Sequence, residues 1–275
     1  MRGPGQNFRA VREFFRFARV ASGLWRAGVP NADDAILPHS LRTHSGGRQP
    51  DSSTNAAADA RLAVSEHLLT HFVIQQNDRS CSIASAVMVV NAARSLRNGG
   101  ANPYSQAELL DLVGIPEWKT AVGPGGNGVV LDHLAVLVGQ SLTASGIGVV
   151  QIVTEHVDGP SPAARARLRN ELRAASNSEG HFVIANFLQG ELTGNGLDRS
   201  GHYAPVGGYD EAAGRVLILD PDRRGFGPYW VAEDRLLAGL ATLDVSCSQS
   251  RGYLAVKIAV AGPGCGSPAS SQALP

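Results

Sequence analysis

The chain has 275 residues, a length for roughly one or two domains, with 43% apolar residues and a mean hydropathy of −0.05. Lys+Arg and Asp+Glu are 24 each, so the formal charge is zero; this excludes a polybasic membrane signal and argues against a nucleic-acid binder. No apolar run approaches the roughly 18 residues of a membrane span, and three cysteines (Cys81, Cys247, Cys265) are too few for a disulfide scaffold.

Residues 1–62 are rich in Arg, Ser, Gly, Asn and Ala and are expected to be a flexible N-terminal extension, reading as linker or disorder from Gly28 to Ala60. Within it, Phe8 to Trp25 fits a basic amphipathic helix, broken by arginines and without the apolar core of a signal peptide. Residues 63–260 carry the patterning of one folded domain. Residues 261–275 are a small-residue, Pro-rich tail.

Within the domain, Cys81 to Arg97 reads as a helix, with Ile83, Ala86, Val87 and Val90 on one face and Ser80 as its N-cap. Ser105 and Glu108 form a capping-box pattern ahead of an apolar run to Val113. Leu131 to Gln140 is a further helix, Ile147 to Val153 a strand, and Ser161 to Ser176 an Arg-rich surface helix. Strands follow at His181 to Leu188, His202 to Tyr209, Arg215 to Asp220 and Gly252 to Val260. Helices first, then strands joined by hairpin-length loops, predict an α+β fold with an antiparallel sheet.

Cys81 opens a helix, where the unpaired N–H groups and the dipole favour the nucleophilic thiolate. The bland alternative is that free cysteines are mostly inert packing. His202 opens a strand that turns at Asp210 to Gly214 into Arg215 to Asp220. Pairing Tyr209 with Arg215 sets Asp220 within one step of His202, and the right parity puts both on one face. A carboxylate there orients the ring and stabilises its protonated form. Cys, His and Asp in that order make a thiol-activating set; an edge histidine bonded to a turn carboxylate is the plain alternative. Gln75, six residues before Cys81, supplies an amide suited to an oxyanion, with Gln76 as an equal rival. The Gly123–Gly128 loop lacks the Gly-Lys-Ser/Thr of a phosphate cradle. His133 sits mid-helix and reads as core or surface, His67, His71, His156 and His181 show no metal-ligand spacing with cysteines, and Cys247 falls in a loop.

The stretch FVIQQNDRSCSIASAVMVVNA (Phe72 to Ala92) resembles the phytochelatin synthase signature, matching at Gln75, Cys81, Ala84, Ser85, Met88, Val89 and Asn91. GHYAPVGGYDEAAGRVLILD (Gly201 to Asp220) resembles the family's Gly-His block. Asp220, Arg223, Pro228 and Trp230 follow its next spacing, and Arg251-Gly252-Tyr253 its final strand. The resemblance implies a papain-like cysteine-peptidase fold, with a helical N-terminal part packed on a C-terminal antiparallel sheet. It implies an enzyme that removes glycine from glutathione through a γ-glutamylcysteinyl thioester, and passes the acyl group to a second glutathione or to water. Cys81 is then the nucleophile, His202 the base, Asp220 its orienter, and Gln75 with the Cys81 N–H the oxyanion hole. Asn186, Gly201, Asp244, Arg251 and Tyr253 match the substrate pocket; an Arg there can pair bidentately with a carboxylate.

The departures are Ser82 for the usual Gly, Ala204 for Ser, Gly225 for a basic residue, a slightly longer Asn186–His202 segment, and no Gln near the histidine. They lie around the acceptor side and bear on transpeptidation more than on acylation. Without a Cys-rich extension, the chain looks like the short bacterial form, associated mainly with glutathione hydrolysis. A papain-like peptidase or amidase with another substrate, and a non-catalytic binding protein, are the competing readings. Packing alone gives no reason to keep Cys81, His202, Asp220 and Gln75 together. No tightly bound cofactor and no protein metal site are expected; cadmium, zinc or copper would arrive as glutathione thiolate complexes. The partners expected are glutathione and its metal complexes, with a homodimer left open. The missing signal peptide points to the cytoplasm, while an Arg-rich, acid-poor start leaves export open.

Overall fold

A computed structural model describes residues 66–98, 101–222 and 227–260. The expected extension at 1–62 with its Phe8–Trp25 helix, the tail at 261–275 with Cys265, and Arg223 and Gly225 lie outside the described residues.

Helix α1 (Cys81–Asn98) starts where its sequence predicts. It is buried more completely than a one-face pattern implies: Ala84, Met88, Val89 and Ala92 are as inaccessible as Ile83 and Val87. A helix apolar all round belongs inside a domain. Its one deep amide, Asn91, is satisfied by both main-chain groups of Tyr104, each at 2.8 Å. That pairing fixes the loop leading into α2 (Gln106–Val113), which carries the full Ser105–Glu108 capping box. Helix α3 (Pro116–Ala121), which the sequence pattern does not announce, begins with proline at its first turn and buries Trp118. Helix α4 (Leu131–Ala144) runs a turn past the expected end at Gln140.

Strand β1 (Val149–His156) begins two residues and ends three residues later than expected. Helix α5 (Pro162–Asn177) is capped by the Ser161 hydroxyl. Strand β2 (His181–Leu188) matches its predicted ends, and a short helix α6 (Gln189–Thr193) follows it. Strands β3 (Gly201–Asp210), β4 (Arg215–Asp220) and β5 (Gly227–Ala232) form a meander. Helix α7 (Glu233–Leu240), a two-residue ladder of β6 (Leu243–Asp244) with β7 (Gln249–Ser250), and strand β8 (Gly252–Ile258) complete the described chain. Strand β5, helices α6 and α7, and the small ladder have no counterpart in the sequence reading.

The six long strands form one sheet in the order β1-β8-β2-β3-β4-β5, with every neighbouring pair antiparallel. The α+β expectation holds. The sheet is covered on both faces. Phe182, Ile184 and Leu254 pack with α1 and α4, while Val183, Ala185 and Phe187 pack with α5 and α7. Hence β2 is buried at six consecutive positions and shows no two-residue alternation.

The β3–β4 hairpin departs from expectation in a way that matters. Near the turn, Tyr209 pairs with Val216, not with Arg215, which faces Asp210. Between Gly208 and Val206 the register steps by one, and Val206 faces Ile218. This is a β-bulge at Gly207. A side chain there would lie 2.8 Å from Leu219 Cδ2, so the bend needs a residue without Cβ.

Candidate functional site

Three chain segments meet at one end of the sheet, where β4 ends, β3 begins and α1 begins. The segment before α1 is anchored by the Gln75 N–H, which donates to Pro221 O at 2.8 Å. Asn77 then organises the turn. Its Oδ1 accepts from Arg79 N, and its Nδ2 donates to Val122 O. Ser80 occupies the cap position, and its carbonyl accepts the Ala84 N–H. Its hydroxyl, however, bonds back to the main chain of Asn77 instead of capping the helix. The expected side-chain cap is therefore absent, because the Asn77 turn takes that hydroxyl. Cys81 sits at the first helical position, partly buried and with a free thiol.

His202 is buried, 4% exposed, and lines the same cavity as the Cys81 thiol. Its Nε2 lies 2.7 Å from Asp220 Oδ1, which leaves Nδ1 for the sulfur. Phe187, directly opposite on β2, packs edge-on against the ring at 5.5 Å. Asp220 is fully inaccessible, yet its four acceptor positions are filled. Oδ1 meets His202 and the Asp222 N–H; Oδ2 accepts from Gln189 Nε2 at 2.9 Å and the Tyr229 hydroxyl at 3.1 Å. Burial alone would raise the carboxyl's pKa, but the imidazolium and these donors hold it below its ordinary value. Burial likewise opposes a charge on His202, yet Asp220 and Cys81 push the ring well above its ordinary value. Burial and the Asp220 charge push the Tyr229 hydroxyl far up, so it remains a donor. Neither Gln189 nor Tyr229 was expected here. Nothing in their local sequence marks them, although Tyr229 lies between the family-spaced Pro228 and Trp230.

A cavity of about 560 Å³ opens over Cys81 and His202. Gln75 lines it, 4% exposed and with Oε1 unbonded; Gln76 is exposed and does not line it. The geometry thus separates the two glutamines, of which the family resemblance matches Gln75. Asn186, Gly201, Asp244 and Arg251 also line the cavity, together with Asn127 and Gly128 of the glycine-rich loop. That loop is fastened by the Tyr203 hydroxyl, which donates to Val129 O. Arg251 is 5% exposed, with Nη1 3.2 Å from Asp244 Oδ2. The alignment of that ion pair is poor, and Nε and Nη1 make no hydrogen bond among the described residues. Asn186 Oδ1 and Ser82 Oγ are likewise buried without a partner. Gly201 makes room for the guanidinium, since a Cβ there would lie 2.7 Å from Arg251 Nη2. Buried donors left unsatisfied are costly unless a ligand meets them.

Tyr253 does not join this group. It is buried in the core beneath α5, near Glu155, Glu171 and Arg167, and does not line the cavity. Strand alternation sends it to the opposite face of the sheet from its neighbour Leu254, which packs with α1. The remaining histidines with visible partners serve structure. His156 bridges Ser250 O and Asp132, and His181 meets Glu171. Cys247 lies in the turn of the β6–β7 ladder. Among the described residues no cluster of His, Cys, Asp or Glu could hold a metal ion, and no helix is long and apolar enough to cross a membrane.

The phytochelatin synthase family profile matches residues 35–253. The chain belongs to the phytochelatin synthase family. It is similar to glutathione gamma-glutamylcysteinyltransferase 1 of Lotus japonicus, 25% identical over 193 residues, which is 69% of this chain and 35% of that protein. It is also 31% identical over 88 residues to glutathione gamma-glutamylcysteinyltransferase 3 of the same plant, covering 32% of this chain and 18% of that one. The Schizosaccharomyces pombe glutathione gamma-glutamylcysteinyltransferase is 30% identical over 86 residues, 31% of this chain and 20% of its own. The chain therefore spans about a third or less of these relatives. Within the phytochelatin synthase match lie Gln75, Cys81, His202 and Asp220, and the cavity residues Asn186, Gly201, Asp244 and Arg251.

Proposed function

We propose that this chain is a thiol-dependent acyltransferase or hydrolase of glutathione, built on a papain-like arrangement of a cysteine-bearing helix against a histidine-bearing sheet. The observation that carries the reading is the pairing of the Cys81–His202–Asp220 set with a buried, unsatisfied guanidinium at Arg251 in one cavity. The γ-glutamyl end of glutathione is an amino-acid zwitterion. Arg251 meets its α-carboxylate, and Asp244 faces its α-ammonium. Asn186 adds an acceptor from the floor.

The peptide carbonyl before glycine then lies over Cys81. His202 Nδ1 takes the thiol proton as sulfur attacks that carbon. Gln75 and the Cys81 N–H receive the charge on oxygen. His202 returns the proton to the glycine nitrogen, the C–N bond breaks, and a γ-glutamylcysteinyl thioester remains on sulfur. Next, His202 takes a proton from water or from the amine of a second glutathione, which attacks the thioester carbon. The C–S bond breaks and the thiol is restored. Asp220 holds the ring and balances its positive charge throughout. Cadmium, zinc or copper(I) enters as a thiolate complex of the substrate, where soft sulfur ligands suit it.

The test is to incubate the purified chain with glutathione and quantify glycine, γ-glutamylcysteine and longer γ-glutamylcysteinyl products, with and without cadmium. Glycine release that disappears in Cys81→Ala supports the reading. Release that persists in that variant, or cleavage of ordinary peptides with glutathione untouched, overturns it.

A further inference from the structure

Two arginines of the cavity stand apart from the rest. On α5, Arg165, Arg167, Arg169 and Arg173 pair with Glu155, Glu211, Glu233 and Asp234. Arg94, Arg97 and Arg235 donate to main-chain carbonyls, and Arg251 faces Asp244. Arg79 and Arg199 have no such side-chain partner among the described residues, and both line the cavity over Cys81. One precedes the nucleophile by two residues, the other the base by three. The Arg79 main chain is held by Asn77 Oδ1, so its side chain leaves from a fixed turn. Neither arginine forms an ion pair with the cavity carboxylates Asp78, Asp222 and Asp244 among the described residues, and Asp244 faces Arg251 instead.

The reaction proposed above has a matching need, on which this inference rests. The departing amine is glycine, whose nitrogen is one carbon from a carboxylate. The amine of an attacking second glutathione is also one carbon from a carboxylate. A nucleophile adds from the place the leaving group vacates, so one anion site serves both. We propose that Arg79 and Arg199 form that leaving-group subsite and bind the α-carboxylate, first of the departing glycine and then of the incoming amine. Arg251 on the buried floor and this pair at the rim then hold the two charged ends of glutathione on either side of the sulfur.

The test compares kcat/KM for glutathione and for γ-glutamylcysteinyl-glycinamide, in which that carboxylate is an amide, in the native chain and in an R79Q/R199Q double variant. Both side chains are exposed, so the variant retains its fold, checked by circular dichroism. The native chain is expected to prefer glutathione by about tenfold, and the variant to lose most of that preference. A native chain that treats both peptides alike, or a variant that keeps the preference, overturns the subsite and leaves the glutathione reading intact. Release from neither peptide overturns the glutathione reading and the subsite with it.

Discussion

His202 Nε2 and Asp220 Oδ1 are 2.7 Å apart although the register at their hairpin turn, carried through unchanged, would set them on opposite faces of the sheet. Near the turn Tyr209 faces Val216; continuing that step would bring Asp220 opposite Pro205 and away from the His202 side. The bulge at Gly207 shifts the pairing by one, and a one-residue shift exchanges the faces. The His202–Asp220 pairing therefore depends on the bulge at Gly207.

Gly207→Ala places a Cβ 2.8 Å from Leu219 Cδ2 and 2.9 Å from its Cγ. Overpacking of that kind is expected to cost about 1–3 kcal/mol, read as a lower urea midpoint. Deleting Gly207 removes the bulge and turns His202 from Asp220. The rate of Cys81 alkylation by iodoacetamide is then expected to lose its histidine-dependent pH profile.

Asp220→Asn leaves the Gln189 and Tyr229 donors competing with an amide for one oxygen, and removes the charge that supports His202. Glycine release from glutathione is expected to fall by about 10²–10⁴-fold with the fold retained. An unchanged rate would remove Asp220 from the mechanism.

The pH dependence has a definite sign. His202 is raised well above 6.5 in the native chain, so its contribution is complete below 6.5 and is lost as pH rises through the raised value. Asp220 is lowered from 3.8, so its contribution is present above 3.8 and is lost as pH falls through the lowered value. Urea midpoints of the native chain and His202→Gln, measured from acid to alkaline pH, should converge on the alkaline side.

Arg251→Met removes the cavity's buried guanidinium. We expect kcat/KM for glutathione to drop by about 10- to 100-fold, the range for a hydrogen-bonded charge pair. Arg251→Lys should not restore it, because an ammonium cannot pair through two parallel N–H groups. Full activity in Arg251→Lys would argue against bidentate binding.

Ser105→Ala breaks the capping box outside the cavity. A loss of about 1 kcal/mol in stability, with glycine release unchanged, is expected. The contrast separates the folding role of α2 from the chemistry.

The sequence by itself determined the helix at Cys81, the capping box at Ser105, the strands at His181–Leu188 and Arg215–Asp220, and the residues Cys81, His202 and Asp220 that the fold brings to one site. These are local patterns: periodicity, caps and motif spacing are written in neighbouring residues. Its reading of Ser80 as a side-chain cap failed because Asn77, three residues away, offers that hydroxyl another partner. It placed Tyr253 in the pocket and gave no sign of Gln189, Tyr229 or helix α7. Tertiary structure alone decided these. Which face a strand residue takes, and which distant donors reach a buried carboxylate, depend on register and on burial between elements far apart in the chain.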